Sequence, residues 1–233
     1  MLVKDIERAL SETEKSRKTF GGMALSEGAL VHLCRRIQPD NKILRLLELG
    51  GGSSTVFWSK LRSLELLNIE AVTLEHDSSW LNTLKEEMRD DPHIQISPQS
   101  LKQISDKEWE SLFACPEVAL TLWHSCGRTV PEDQNRHYTI HNAFYRQADS
   151  LPLDKASVDV LIVDGPHGNG RSLAFPLFSQ ILKPDALVLI DDYDHYPFLE
   201  DLAKVFRYDE LHLEPEGTKR WSLVRLNGLR TKG

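Results

Sequence analysis

Apolar residues recur at helical spacing at the start of the chain, where Leu2, Val3, Ile6 and Leu10 stand among charged neighbours through residues 2–19. Residues 25–37 repeat the pattern behind Ser26, a residue type suited to an N-cap. Two helices are therefore predicted before the first strand. Residues 43–49 then read as a short apolar strand, 54–67 as a helix, 71–75 as a second strand, a helix through 88 capped by Ser78 or Ser79, and 93–97 as a weaker third strand. Connections of this length suit a parallel sheet. Further on, residues 158–164 and 186–191 are almost wholly apolar, as strands buried on both faces should be, and each ends in an aspartate, Asp164 and Asp191. A helix is predicted between them over 171–182, stopped by Lys183, Pro184 and Asp185. Residues 210–213 and 221–226, separated by Pro215, Glu216 and Gly217, predict a terminal hairpin. Residues 102–154 are less regular and rich in aromatics and histidines; a substrate-covering insertion is expected there, with ordinary packing as the alternative.

Length and composition narrow this picture. At 233 residues, with no Pro/Gly/Ser-rich linker and no charge block, one domain over 1–233 is expected, with N-terminal helices over 1–42. A net charge of -7, from 28 basic and 35 acidic residues, leaves no basic stripe of the kind a phosphate backbone requires, so nucleic acid is a poor substrate. No apolar run approaches the roughly 18 residues of a membrane span. Cys34, Cys115 and Cys126 are odd in number and lack CxxC spacing, which together with a start lacking a signal pattern suggests a reduced, cytoplasmic protein. Cys115, His124 and Cys126 are too irregular for a metal site. Self-association is left open.

The chemistry concentrates at Glu48, Leu49, Gly50, Gly51, Gly52, Ser53, Ser54 and Thr55, where an apolar strand ends in an acid and passes through three glycines into a helix. Glycines permit a sharp turn and close ligand approach, and the helix start offers backbone N–H groups. A dinucleotide fingerprint would need a third glycine where Thr55 stands. Glu48 would repel a pyrophosphate but suits an amino group or cation. A sulfonium ligand with an aminoacyl tail fits better, and Glu75, at the end of the second strand, is placed to accept hydrogen bonds from a ribose diol.

At these residues the sequence resembles the class I S-adenosylmethionine-dependent methyltransferases. Residues 48–54 carry the first motif and Glu75 the ribose acid; Val163, Asp164, Gly165, Pro166, His167 and Gly168 match the fourth-strand motif, and residues 183–192 the fifth, with Asp185-Ala186 replacing the usual glycine. The resemblance covers roughly residues 26–196. It implies an α/β, Rossmann-like fold: a mostly parallel seven-stranded sheet with helices on both faces and a C-terminal antiparallel hairpin. It implies a cofactor held by Glu48, Gly50, Gly52, Ser53, Ser54, Glu75, His76 and Asp164.

Parallel strands would bring Asp164, Asp191 and Asp192 to one sheet edge, where three carboxylates repel unless solvated or sharing a cation; Mg²⁺ is the natural candidate. Asp191-Asp192-Tyr193 resembles the macrocin-type sugar O-methyltransferases, and Asp164-Gly165-Pro166-x-Gly168 followed by Arg171 the methyltransferase domains found with polysaccharide genes, groups that need not all use a metal. The implied reaction is O-methylation of a sugar, glycan or other small hydroxylated metabolite. His167 is the candidate base beside Asp164, with a backbone-bonded loop histidine as the alternative. His137, Tyr138, His141, Tyr145 and His195 are secondary candidates for an acceptor pocket. Arg171 would either hold an acidic group or cap its loop. A non-catalytic module on the same fold and an NAD-dependent oxidoreductase are the rival classes; the crowded carboxylates argue against the first, Thr55 and Glu48 against the second.

Overall fold

The computed structural model describes residues 1–17, 24–38, 42–88, 91–134, 140–217 and 219–230. Helices α1 (Val3–Arg17) and α2 (Glu27–Arg36) precede β1 (Leu44–Leu49), α3 (Ser53–Ser63), β2 (Ile69–Glu75), α4 (Ser78–Glu87) and β3 (Ile94–Pro98). The order is the predicted one, and the differences are local. Helix α3 stops short of residue 67 because the chain turns at Glu65, whose φ is 57°. The cap of α4 is neither serine: Asp77 accepts from the backbone N–H of Ser79 at 2.8 Å, a carboxylate taking the role one residue earlier.

The irregular stretch folds on itself. Strands β4 (Leu101–Gln103), β5 (Arg128–Thr129) and β6 (Ala143–Tyr145) form a small antiparallel sheet in the order β5-β4-β6, with α5 (Asp106–Ala114) and α6 (Ala119–Ser125) between β4 and β5. Aromatics anchor it, since Trp123, Phe144 and Tyr145 are fully buried in the same core as the main sheet. An amide chain fastens β6 to the segment after the next strand: Asn142 Nδ2 donates to Asp106 at 2.7 Å, and Asn169 Nδ2 donates to Asn142 Oδ1 at 2.7 Å.

Strand β7 (Val158–Val163) follows, then α7 (Ala174–Leu177), β8 (Leu182–Asp191), α8 (Phe198–Val205), β9 (Phe206–Glu214) and β10 (Trp221–Leu229). The helix expected over 171–182 is a correction: residues Asn169–Leu173 are a 3₁₀ turn, α7 is a single turn, and β8 begins at Leu182, taking in the residues read as a stop. Lys183 is drawn onto β7 by an ion pair with Asp159, and the register jumps from Val158↔Leu182 to Val160↔Leu187, so Pro184 sits in a bulge where no ladder donor is needed. Helix α8 carries no signal read from the sequence.

The main sheet has the order β3-β2-β1-β7-β8-β10-β9. Its first five strands are parallel, and β10 and β9 close it as the expected antiparallel hairpin. Alternation along each strand divides the apolar residues between two cores: Leu46, Val160, Ile162 and Leu189 pack under α1, α2 and α3, while Leu47, Leu49, Val163 and Ile190 pack against the small sheet, α7 and α8. This is the Rossmann-like arrangement, and chain order reverses between β1 and β7, where ligands bind open α/β sheets. No described helix is long and apolar enough to cross a membrane.

Candidate active site

At the reversal point two turns press together. Gly50 has φ 88°, and a side chain there would meet the backbone of Asp164 and Gly165 at 3.0–3.3 Å; one at Gly165 would come within 2.9 Å of Gly50 Cα. The turn after β1 thus lies directly against the turn after β7, which only glycine permits at both positions. Gly51 donates to Glu75 Oε2 at 2.8 Å, and a side chain at Gly52 would meet nothing within 4 Å, so the third glycine borders open space. Ser53 and Ser54 begin α3 behind it, both buried.

Glu75 is the charged pole of this half. Its Oε1 accepts from the backbone N–H groups of His76 and Asp77 at 2.6 Å each, and His76 Nδ1 stands 3.3 Å away. Burial pushes the Glu75 pKa up, but hydrogen bonding and charge from His76 and the N–H groups of Asp77 and Gly51 outweigh it and hold the value below the ordinary carboxylate range. An ionised carboxylate results, with Oε2 retaining a lone pair beyond Gly51 for a hydroxyl donor. The ring of His76 lies 6.1 Å from that of Tyr145 and 6.0 Å from that of His167.

Glu48 is a correction to the expected contact with an amino group. It is wholly buried on the α3 face, where Oε2 accepts from Thr55 Oγ1 at 2.6 Å and Thr73 Oγ1 at 2.8 Å, and Oε1 from Trp58 Nε1 at 3.3 Å. Every donor comes from the protein. Thr55 also accepts from Gly52 N–H at 3.0 Å, so the residue that departs from the dinucleotide fingerprint braces the glycine turn onto Glu48.

Across the reversal, Asp164 and Asp191 meet as expected from neighbouring parallel strands, and the compensating cation is part of the chain. Arg171, 8% exposed, donates from Nε to Pro166 O at 2.9 Å and from Nη1 to Asp191 O at 3.3 Å. Its guanidinium is committed to the loop and lowers the pKa of both aspartates; the loop-capping role, not capture of an acidic ligand, is what the geometry gives. Burial and then the charge of Asp191 hold Asp164 well above its ordinary value, while burial and then Asp192 raise Asp191 to about 6. The pair therefore shares protons near neutrality. Because the folded value lies above the unfolded one of roughly 3.9, stability from this pair is complete below that value and is lost as pH rises through about 6.

The metal expectation does not fit this geometry. Asp192 has φ 49° and its carboxylate lies 3.6 Å from His195, and among the described residues no three Asp, Glu, His or Cys side chains converge as ion ligands. Burial, then Arg171 and His76, lower the His167 pKa to about 4, so the imidazole is neutral at pH 7, the form a base requires, but is a weaker base than a free histidine.

Of the secondary candidates, His141 and His195 are exposed, and His137 and Tyr138 lie outside the described residues. Tyr145 is the one brought inside. Its hydroxyl is buried against Gly165 and makes no hydrogen bond of acceptable geometry, and Asp191 Oδ1 is likewise buried with no donor outside its pairing with Asp164. Two buried polar atoms with incomplete hydrogen bonding thus lie at one sheet edge.

No curated protein matches the chain. Among solved structures, it is similar to an S-adenosylmethionine-dependent methyltransferase from Aquifex aeolicus (9% identity, 93% of this chain and 97% of that one, TM-score 0.49) and a methyltransferase from Pyrococcus furiosus (13%, 95% and 98%, 0.49). It is also similar to precorrin-6y C5,15-methyltransferase from Geobacter metallireducens (13%, 86% and 87%, 0.47). None of the three reaches a TM-score of 0.5, too distant to carry a residue's role from one protein to another. A family model described as methyltransferase domain matches residues 47–193, from β1 through the paired aspartates, and the chain belongs to that methyltransferase family.

Proposed function

We propose that this enzyme transfers the methyl group of S-adenosylmethionine to a hydroxyl of a sugar, glycan or similar small hydroxylated molecule in the cytoplasm, without a bound metal. The observation that carries this reading is the meeting of the Gly50–Gly52 turn, a poised Glu75 carboxylate and the incompletely bonded atoms of Tyr145 and Asp191 at the reversal of the sheet. The residues fit the cofactor: open space borders Gly52, and Glu75 keeps an acceptor for a ribose hydroxyl. Gly50, Gly52, Ser53 and Ser54 would line its path, with Asp164 at its far end. When bound, S-adenosylmethionine supplies an electrophilic methyl group. Asp191 Oδ1, held in a partly ionised pair with Asp164, is the acceptor for the hydroxyl proton; His167 stays neutral and shapes the wall. The acidic edge disfavours phosphate-rich acceptors, and three free cysteines support a reducing compartment.

Calorimetric titration with S-adenosylmethionine, followed by transfer assays over a panel of hydroxylated sugars with and without EDTA, tests this directly. Micromolar binding and chelator-insensitive transfer are expected; absence of binding at millimolar cofactor would sink the reading, and transfer restored only by Mg²⁺ would overturn the metal-free part.

The proton-acceptor assignment makes a separate prediction. The rate should fall as pH drops through about 6, where the Asp164–Asp191 pair takes up its second proton, and the same limb should persist in a His167→Gln variant. A limb that vanishes with His167 would transfer the role to the imidazole.

A further inference from the structure

The sequence expectation for the segment carrying β4–β6 concerned the acceptor alone, yet its last strand reaches the cofactor turn. Tyr145 ends β6, is fully buried, and packs its ring edge-on to Phe144 at 5.1 Å and to His76 at 6.1 Å. Its hydroxyl lies so near Gly165 that a side chain there would come within 2.6 Å of it, and Gly165 in turn touches Gly50. The backbone N–H of Gly50 lies near that hydroxyl but donates to Leu74 O at 2.9 Å, and no described group gives the hydroxyl a hydrogen bond of full geometry. A buried hydroxyl without a partner is a standing cost to the fold, which phenylalanine would avoid while keeping the same ring packing. Burial and the nearby carboxylates of Glu75 and Asp164 also keep the phenol protonated, so it is available as a donor.

We propose that Tyr145 is a cofactor-holding residue: its hydroxyl donates to an oxygen of the bound methyl donor where the Gly50 and Gly165 turns meet, so that the inserted sheet contributes to cofactor binding as well as covering the site. This rests on the methyltransferase reading above. The amide chain through Asp106, Asn142 and Asn169 gives the contact its stiffness, because it locks the start of β6 to the segment that carries Arg171.

The test compares wild type and Tyr145→Phe by calorimetry with S-adenosylmethionine and with 5′-methylthioadenosine, alongside thermal unfolding without ligand. The expected result is a Kd for S-adenosylmethionine raised about 3- to 10-fold, a KM raised by a similar factor with kcat little changed, and an unliganded Tm equal to or above that of wild type. A loss seen with both ligands places the bond at the nucleoside, and a loss with S-adenosylmethionine alone places it at the aminoacyl carboxylate; either supports the proposal. Unchanged affinity in a folded variant overturns it, as does a variant that fails to fold, which would make the hydroxyl part of the framework. Failure of wild type itself to bind would instead overturn the functional reading beneath it.

Discussion

Replacing Arg171 with methionine is expected to destabilise the protein by about 3–5 kcal/mol at pH 7.5, lowering Tm by roughly 6–20 °C for a chain of this length. The guanidinium is buried, bonds two carbonyl oxygens from different loops, and is the cation nearest two buried carboxyls. Methionine fills similar volume but leaves Asp164 and Asp191 uncompensated and two carbonyls without donors. The pH dependence identifies which loss dominates. As pH falls to 5 both carboxyls of the variant become protonated and their repulsion disappears, so the difference from wild type should shrink toward what the lost hydrogen bonds contribute. Denaturant unfolding at the two pH values measures this, and a pH-independent loss would show that Arg171 acts only as a loop brace.

The position of Arg171 also explains how carboxylates can crowd this edge. A divalent cation needs several oxygen ligands within 2.0–2.6 Å and open sides for water or substrate. A guanidinium instead spreads one charge over a planar fork and spends its donors on backbone carbonyls. Near neutrality the two aspartates with one shared proton carry about one negative charge, matched by the one positive charge of Arg171. Sequence spacing placed the acids together but left the role of Arg171 open, because the arginine reaches them through the 3₁₀ turn Asn169–Leu173, in a segment the apolar pattern read as a regular helix.

The succession of the main strands along the chain and the glycine turn were legible because they rest on local signals: fully apolar runs ending in acids, and glycines where backbone must approach backbone. The small sheet was not, since β4, β5 and β6 are two or three residues long and are held by contacts distant in sequence. Residues 182–185 were misread for a related reason. A lysine, a proline and an aspartate are a turn signal locally, and only the long-range Lys183–Asp159 pair and the bulge against β7 make them strand. The pKa of His167 was hidden likewise, because it depends on Arg171 and His76 arriving from other segments.

Glu48 was misassigned although its alternation held the answer. Side chains alternate along a strand, so Glu48 shares the face of Leu46, the face that α3 covers, and lies in register with Thr73 of β2. Glu48→Ala is expected to destabilise the fold by about 3–5 kcal/mol, since Thr55, Thr73 and Trp58 would each lose a buried acceptor. Glu48→Gln should cost only about 1–2 kcal/mol, because its carbonyl still serves both threonines while its amide faces the indole N–H unfavourably. Burial holds the Glu48 pKa above its ordinary value, so ionising this carboxyl opposes folding as pH rises, and the uncharged glutamine escapes that penalty. The gap between Glu48→Gln and wild type should therefore narrow at higher pH. A framework role further requires that Glu48→Gln bind S-adenosylmethionine within about 3-fold of wild type, a shift smaller than a lost hydrogen bond to a charged group. Unfolding curves and a calorimetric titration on the same preparation separate the alternatives: intact stability with lost binding would return Glu48 to the ligand, whereas weakened stability with retained binding fixes it as the post on which the glycine turn is mounted.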